Sequence, residues 1–175
     1  MMKHILPLCF VSLLVLSSCF NEVNDSVQLV SAFTNRQLAI PINDTSQTRD
    51  VAKILIVNYI DSLGCLRCKS HLPLWKNFIE DISLQFGSKV NVLIIMHPHR
   101  LIDAKYAIQR DSFSFPVCID TTDIFNKVNH LPSDSRFHCF LLDSANCVIL
   151  IGNPVQNSKI KDLYIRTICE RLGGS

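Results

Sequence analysis

The 175-residue sequence has little net charge and few charged residues. Its 17 Lys and Arg residues nearly balance its 15 Asp and Glu residues, which leaves a net charge of +2 at pH 7 and a pI near 8.1. Because positive charge is not in large excess, the sequence gives no reason to expect nucleic-acid binding. The sequence also has no internal repeat or low-complexity block. A hydrophobic fraction of 48% against a charged fraction of 18% is typical of a globular chain.

The apolar run at the start of the chain, residues 5–16, is too short to span a bilayer comfortably. Lys3 precedes it and small residues follow it, a pattern typical of a secretory signal peptide. The ending "LSSC" at residues 16–19 resembles a bacterial lipobox, so we expect residues 1–18 to be removed and Cys19 to carry lipid that anchors the protein to a membrane. The alternative is ordinary cleavage nearby, which would leave the cysteine unmodified.

The leader predicts a location in a bacterial cell envelope, facing the periplasm, on either the inner or the outer membrane. Removing 18 residues from 175 leaves 157, which suits one domain with a substantial core. Residues 19–49 are polar apart from "VQLVSAF", and we expect a tether there with room for one early strand. The folded domain is expected at residues 50–175.

From Val51 onward, short apolar runs alternate with helical periodicity. The runs "AKILIVNYI", "KVNVLIIM" and "FPVCID" predict strands, and "FHCFLLD" with "CVILIG" predicts a β-hairpin. The first predicted helix has an apolar face from Trp75 to Phe86 and a cap at Gly87. Further helices are predicted over residues 101–110, in "TTDIFNKVN" with a Thr or Asp cap, and towards the end of the chain, with an apolar face from Ile160 to Leu172. The order β-α-β-α-β-α-β-β-α favours an α/β fold with a mixed sheet and helices on both faces.

Six cysteines remain once the leader and the lipidation site are set aside. An exported chain can form disulfides, although a core of this size does not need them. Four of the six lie in apolar runs, where we expect small buried hydrophobes; they are Cys118, Cys139, Cys147 and Cys169. Cys65 and Cys68 differ, because they lie in the polar, glycine-marked stretch "DSLGCLRCKSHLP" between the first predicted strand and the next helix.

The position of this pair favours thiol chemistry. Cys65 follows the strand, and Cys68 lies in the first turn of the predicted helix, whose N-terminus carries about half a positive charge. Arg67 and Lys69 add positive charge, so we expect the pKa of Cys65 to be lower than that of a free thiol. A thiolate attacks disulfides, and a second cysteine two residues on can resolve the mixed disulfide. The spacing predicts a redox couple with Cys65 as nucleophile and Cys68 as resolver.

Zinc binding and a purely structural disulfide are the alternatives for this pair. A zinc site usually needs four ligands, and the sequence offers no second CxxC or paired His motif. His97 and His99 flank a proline, a pattern more typical of an exposed loop, so no metal is assigned. A disulfide between Cys65 and Cys68 would close too short a loop to constrain the unfolded chain much.

Pro73 follows Cys68 by five residues and falls inside the predicted helix. Proline in a helix interior costs about 3 kcal/mol relative to Ala. Because the apolar periodicity nevertheless continues to Phe86, we expect a helix that is kinked at Pro73.

A strand, a CxxC at a helix start and a proline five residues later resemble the thioredoxin fold. "FPVCIDTTDIFNKVNHLP" and "FHCFLLDSANCVILIGNPV" are similar to the segments before and within the final hairpin of membrane-tethered thiol–disulfide oxidoreductases from bacterial envelopes. The resemblance covers roughly residues 50–172. It implies a three-layer α/β sandwich, exchange of thiols and disulfides with envelope proteins, no bound cofactor, and a redox protein that recycles the couple.

Two positions depart from that family. It usually places a cis-proline directly before the hairpin, where this chain has Phe137, and the nearest proline is Pro132. Its aromatic residue before the first cysteine is replaced by Gly64. His138 either faces the cysteines and tunes them or fills a structural position. The departures concern substrate handling, so a non-enzymatic binding lipoprotein and a copper carrier stay open beside the reductase-like function.

Overall fold

A computed structural model describes residues 24–40, 52–63, 66 and 70–173 of the chain. The chain divides into two compact units, residues 1–34 and 35–175. In the first unit, residues 24–33 form a helix, so the expected early strand at "VQLVSAF" is wrong. Thr34 ends this helix with its backbone N–H and its hydroxyl, which both donate to the carbonyl oxygen of Val30 at 3.0 and 2.8 Å. Val27 and Val30 suggested a strand, but the strand preference of valine depends on the surrounding packing and does not by itself exclude a helix.

The second unit contains a mixed five-stranded sheet in the order β3-β2-β1-β4-β5. The five strands are β1 (Ile54–Ile60), β2 (Val90–Met96), β3 (Val117–Ile119), β4 (Cys139–Asp143) and β5 (Val148–Ile151). The pairs β1–β2 and β2–β3 are parallel, whereas β1–β4 and β4–β5 are antiparallel. The central position of β1 explains its nearly continuous apolar sequence, because a central strand is covered on both faces.

Helices cover both faces of this sheet, as the sequence predicted. Within the described residues they are α1 (Leu72–Phe86), α2 (Leu101–Arg110), α3 (Ile124–Asn129) and α4 (Ser158–Gly173). The buried residues of α1, α2 and α4 form one core cluster with alternate residues of β1, β2 and β4. This cluster includes Trp75, Ala104 and Tyr164, each at most 1% exposed. The predicted apolar face of α1 is confirmed as core, and α4 contributes the buried Tyr164 and Ile168.

The opposite face of the sheet is covered by α3 and by the segment before β1. Phe125 of α3 is fully buried, and its ring lies 5.7 Å from that of Tyr59. Leu38 is also buried, and its N–H donates to the carbonyl oxygen of Asn146 at 3.0 Å, in the hairpin turn. The segment 35–40, which the sequence placed in the tether, therefore contributes to the core of the second unit.

The helix after the cysteine pair is interrupted, not kinked. Ser70 is helical, but His71 adopts the left-handed conformation with φ 45° and ψ 33°, and α1 begins at Leu72. Pro73 is consequently the second residue of a new helix, where its missing N–H has no helical partner to lose. The expectation of one continuous helix kinked at Pro73 is wrong, because the break precedes the proline by two residues.

The cap of α3 also differs from the predicted one. Asp123 precedes the helix, but its side chain makes no capping bond. The carboxylate of Asp120 instead accepts the N–H of Phe125 at 2.7 Å. Burial alone would raise the pKa of Asp120. Hydrogen bonds from the backbone N–H groups of Phe125, Ile124 and Thr122 outweigh it, so the pKa lies below its usual range.

Candidate active site

The carboxyl ends of β1, β2 and β3 meet at one edge of the sheet. The N–H of His97 donates to the carbonyl oxygen of Ile60 at 2.8 Å, and that of Asp120 donates to Met96 at 2.8 Å. The stretch that contains the two cysteines leaves the sheet at this edge. Loops at the carboxyl ends of parallel strands are the usual position of functional groups in α/β proteins.

The predicted couple itself lies outside the described residues. Cys65, Cys68, Arg67 and Lys69 all fall there, and their roles stay predictions. Leu66, between the two cysteines, is helical and packs partly buried against the core cluster. The described residues therefore show the elements on either side of the couple, which are β1 before it and α1 after it.

Asp61 is the first residue after β1, four positions before Cys65, and its side chain is only 12% exposed. Its Oδ1 accepts the N–H of Leu63 at 2.9 Å, which shapes the turn that leads toward the cysteines. Asp61 was not predicted as a site residue, because "DSLG" has the composition of an ordinary turn. The available signal was an acidic residue directly at the carboxyl end of a buried strand.

His138 lies directly before β4 and is 5% exposed. Its Nδ1 faces Oδ2 of Asp61 at 4.0 Å, and its Nε2 lies 2.7 Å from the carbonyl oxygen of Pro132. Its ring stands edge-on to that of Tyr59, with 5.3 Å between the centroids. These contacts favour a structural role for His138, one of the two alternatives left open above. They also place its ring beside Asp61.

The loop before β4 is remodelled relative to the expected cis-proline platform. Residues Ser135–Phe137 form a single turn of 3-10 helix, and among the described residues no peptide bond is cis. Asp134 starts this turn, since its Oδ1 accepts the N–H of Arg136 at 2.9 Å and its Oδ2 binds the guanidinium at 2.7 Å. Phe137, where the resemblance led us to look for a cis-proline, lies at the end of this turn.

Tyr59 contacts both the loop before β4, through the ring of His138, and the loop between β3 and α3. Its hydroxyl donates to Oδ1 of Asp123 at 2.5 Å. Burial, followed by this hydrogen bond and the charges of Asp123, Asp61 and Asp120, raises the pKa of Tyr59 well above its usual range. The phenol therefore stays neutral at physiological pH and acts here as a hydrogen-bond donor.

The four other cysteines differ in how far they are buried. Cys139 is buried as predicted, whereas Cys118 and Cys147 are half-buried and Cys169 is exposed. The expectation for Cys169 is wrong because Ile168, its neighbour, occupies the core side of α4. All four are free thiols, and among the described residues no group of three or more His, Cys, Asp or Glu side chains suits a metal ion.

Comparison with solved structures decides the fold. One structure, provisionally named thiol:disulfide interchange protein DsbE from Chlorobium tepidum, superposes with a TM-score of 0.55 at 13% identity, covering 76% of this chain and 94% of the other. The chain has a thioredoxin-like fold. A thioredoxin-like protein from Parabacteroides distasonis gives a TM-score of 0.53 at 12% identity, covering 74% and 95% of the two chains.

A third thioredoxin-like neighbour is a domain of a possible thiol-disulfide isomerase from Cytophaga hutchinsonii, with a TM-score of 0.52 at 14% identity and coverage of 71% and 80%. No protein-family model and no curated protein sequence matches the chain. In the part of the chain that the structure describes, no helix combines the length and apolar content needed to cross a membrane.

Proposed function

We propose that this thioredoxin-like protein is a thiol–disulfide oxidoreductase that uses Cys65 and Cys68. One observation carries the proposal: the chain leaves the central strand β1 at Ile60 and enters α1 at Leu72, and the CxxC lies in the short stretch between them. The names of two similar structures, a thiol:disulfide interchange protein and a thiol-disulfide isomerase, support the same chemistry.

The exchange runs in two steps that balance without a cofactor. The Cys65 thiolate attacks one sulfur of a client disulfide, so a mixed disulfide forms and the other client sulfur leaves as a thiolate. The Cys68 thiolate then attacks the Cys65 sulfur, and the second client sulfur leaves. The client gains two electrons and its thiolates take up two protons, while the couple is left as a disulfide.

A second redox protein must then reduce the couple again.

We also propose that the chain works at a membrane of a bacterial envelope, facing the periplasm, with lipid on Cys19 as its anchor. The leader of the sequence supports this location, and it lies outside the described residues.

The test is reduction of insulin by dithiothreitol, followed as turbidity, with the full chain as catalyst. We expect the native chain to accelerate precipitation and the Cys65→Ala variant to fall to background. Cys169→Ala is the matched control, because it removes an exposed thiol elsewhere and should keep full activity. Background turnover by the native chain, or equal turnover by Cys65→Ala, would contradict the proposal.

A binding lipoprotein without catalytic activity is the second candidate. The 3-10 turn of Ser135–Phe137 favours it, because this turn replaces the loop on which thioredoxin-like enzymes usually present a substrate. The same insulin assay separates the two candidates, since a binding module would stay at background while its circular dichroism spectrum showed an intact fold.

A further inference from the structure

Asn58 is a buried amide in the middle of the central strand. It is 5% exposed, and within the described part of the chain no hydrogen bond to its side chain is found. A carboxamide has two donors and an acceptor, and burying it without a partner is unfavourable. An apolar residue would serve a purely structural purpose better at this position.

The side chain of Asn58 projects toward a polar cavity. Side chains alternate along a strand, so Asn58 shares a face with Ile56 and Ile60, both part of the core cluster that α1 and α4 cover. The cavity has a volume of about 190 Å³ and lies between the carboxyl end of β1, the loop before β4 and the loop before α4. Its polar lining includes Asn58, Asp61 and Arg136.

The size of the cavity restricts its occupant. Pockets for small-molecule cofactors usually span about 300–1,000 Å³, and one water occupies about 30 Å³. A space of 190 Å³ is too small for a nucleotide and is suited to a single amino-acid side chain. On the proposed function, the occupant is a side chain of the client polypeptide that reacts with Cys65, four residues after Asp61 in the sequence.

The charges of the lining restrict the occupant further. Asp61 and Arg136 carry opposite signs, and Arg136 is bound to Asp134 at 2.7 Å. A cationic or an anionic side chain would therefore meet one attractive and one repulsive group, so the lining favours neither sign of charge. A carboxamide matches Asn58 itself, because two carboxamides exchange a donor and an acceptor in a pair of hydrogen bonds.

We infer that this cavity binds the carboxamide side chain of an Asn or Gln residue of the client polypeptide. The inference rests on the proposed function, because it assigns part of the substrate specificity to the same site. Asn58 is then a specificity-determining residue, because its carboxamide pairs with that of the client.

The test is a nuclear magnetic resonance titration of the reduced full chain, followed through the side-chain amide of Asn58. The probes are N-acetylglutamine amide and its glutamate, lysine and leucine counterparts, none of which contains sulfur. We expect N-acetylglutamine amide to bind with a Kd about tenfold lower than that of the leucine compound, the difference that two hydrogen bonds supply. Asn58→Leu should abolish this preference without lowering Tm.

Equal affinity for all four probes, or a preference for a charged one, would overturn the inference. So would an Asn58 amide whose signals respond to no probe, which would mean that the cavity holds ordered water only. A lower Tm for Asn58→Leu would show a structural role instead. The native titration needs no variant and no redox step, so its failure is distinguishable from inactivity in the insulin assay.

Discussion

The Nε2 atom of His138 lies 2.7 Å from the carbonyl oxygen of Pro132, six residues earlier in the chain. A carbonyl oxygen can only accept, so Nε2 carries the proton of this bond. The contact closes the loop before β4, which contains the 3-10 turn Ser135–Phe137. One imidazole therefore holds the loop that borders the proposed site, and its other nitrogen faces Asp61.

Replacing His138 with Ala should destabilise the protein. The change leaves the half-buried carbonyl oxygen of Pro132 without its donor, and we expect the free energy of unfolding to fall by about 1–3 kcal/mol. Urea denaturation measures the loss. His138→Gln is the control, since it retains an N–H donor and should lose less. An alanine variant as stable as the native chain would contradict the assigned contact.

The left-handed backbone at His71 predicts an unusual order of stability for two variants. A residue with a Cβ pays about 1–2 kcal/mol for this conformation, whereas glycine does not. We therefore expect His71→Gly to be more stable than His71→Ala by about 1 kcal/mol in chemical denaturation. In a continuous helix the order would be reversed, because glycine costs about 1 kcal/mol relative to alanine there.

Pro73→Ala should have little effect on stability. The second residue of a helix has no intrahelical N–H bond, so we expect a change within about 1 kcal/mol by thermal or urea unfolding. The variant keeps the same backbone path and needs only the native chain as reference. A gain of about 3 kcal/mol would show instead that the proline strains a helix interior.

Cys139 should make the fold sensitive to alkaline pH. Burial, opposed only in part by hydrogen bonds from Tyr164 and the backbone, raises its pKa to about 12, above the value of an unfolded thiol. The full stability is present below pH 9. It then falls by about 1.4 kcal/mol per pH unit, because only the unfolded chain releases the proton.

Urea denaturation between pH 9 and 10 tests this dependence, since the buried tyrosines begin to contribute only above that range. Cys139→Ala should lose stability more slowly than the native chain. Cys169→Ala, which removes an exposed thiol, should keep the native slope. Parallel curves for all three proteins would contradict the assignment.

The strands and most of the helices were predictable because their signals are local. The apolar run of β1, the 3.6-residue periodicity of α1 and the hairpin of β4 and β5 each lie within one segment of the sequence. The interruption at His71 left no such signal, since the apolar residues after it keep helical spacing. The helix at residues 24–33 was missed because a short run with two valines suits either structure.

The polar contacts around the site depend on the tertiary fold. The bond from His138 to Pro132 requires a loop that folds back before β4, and the cap of α3 uses Asp120, not the adjacent Asp123. Asn58 lies within a strand of otherwise apolar and aromatic residues. The lack of a hydrogen-bond partner for its side chain among the described residues is visible only in the three-dimensional structure.

The most direct test of the central claim is mass spectrometry of the reduced chain after reaction with oxidised glutathione. We expect Cys68→Ala to accumulate a mixed disulfide with glutathione on Cys65, because the resolving thiol is absent. The native chain should form only its internal disulfide, and Cys65→Ala should react at least about tenfold more slowly. Reaction of Cys65 no faster than that of the exposed Cys169, or a stable glutathione adduct on the native chain, would contradict the account.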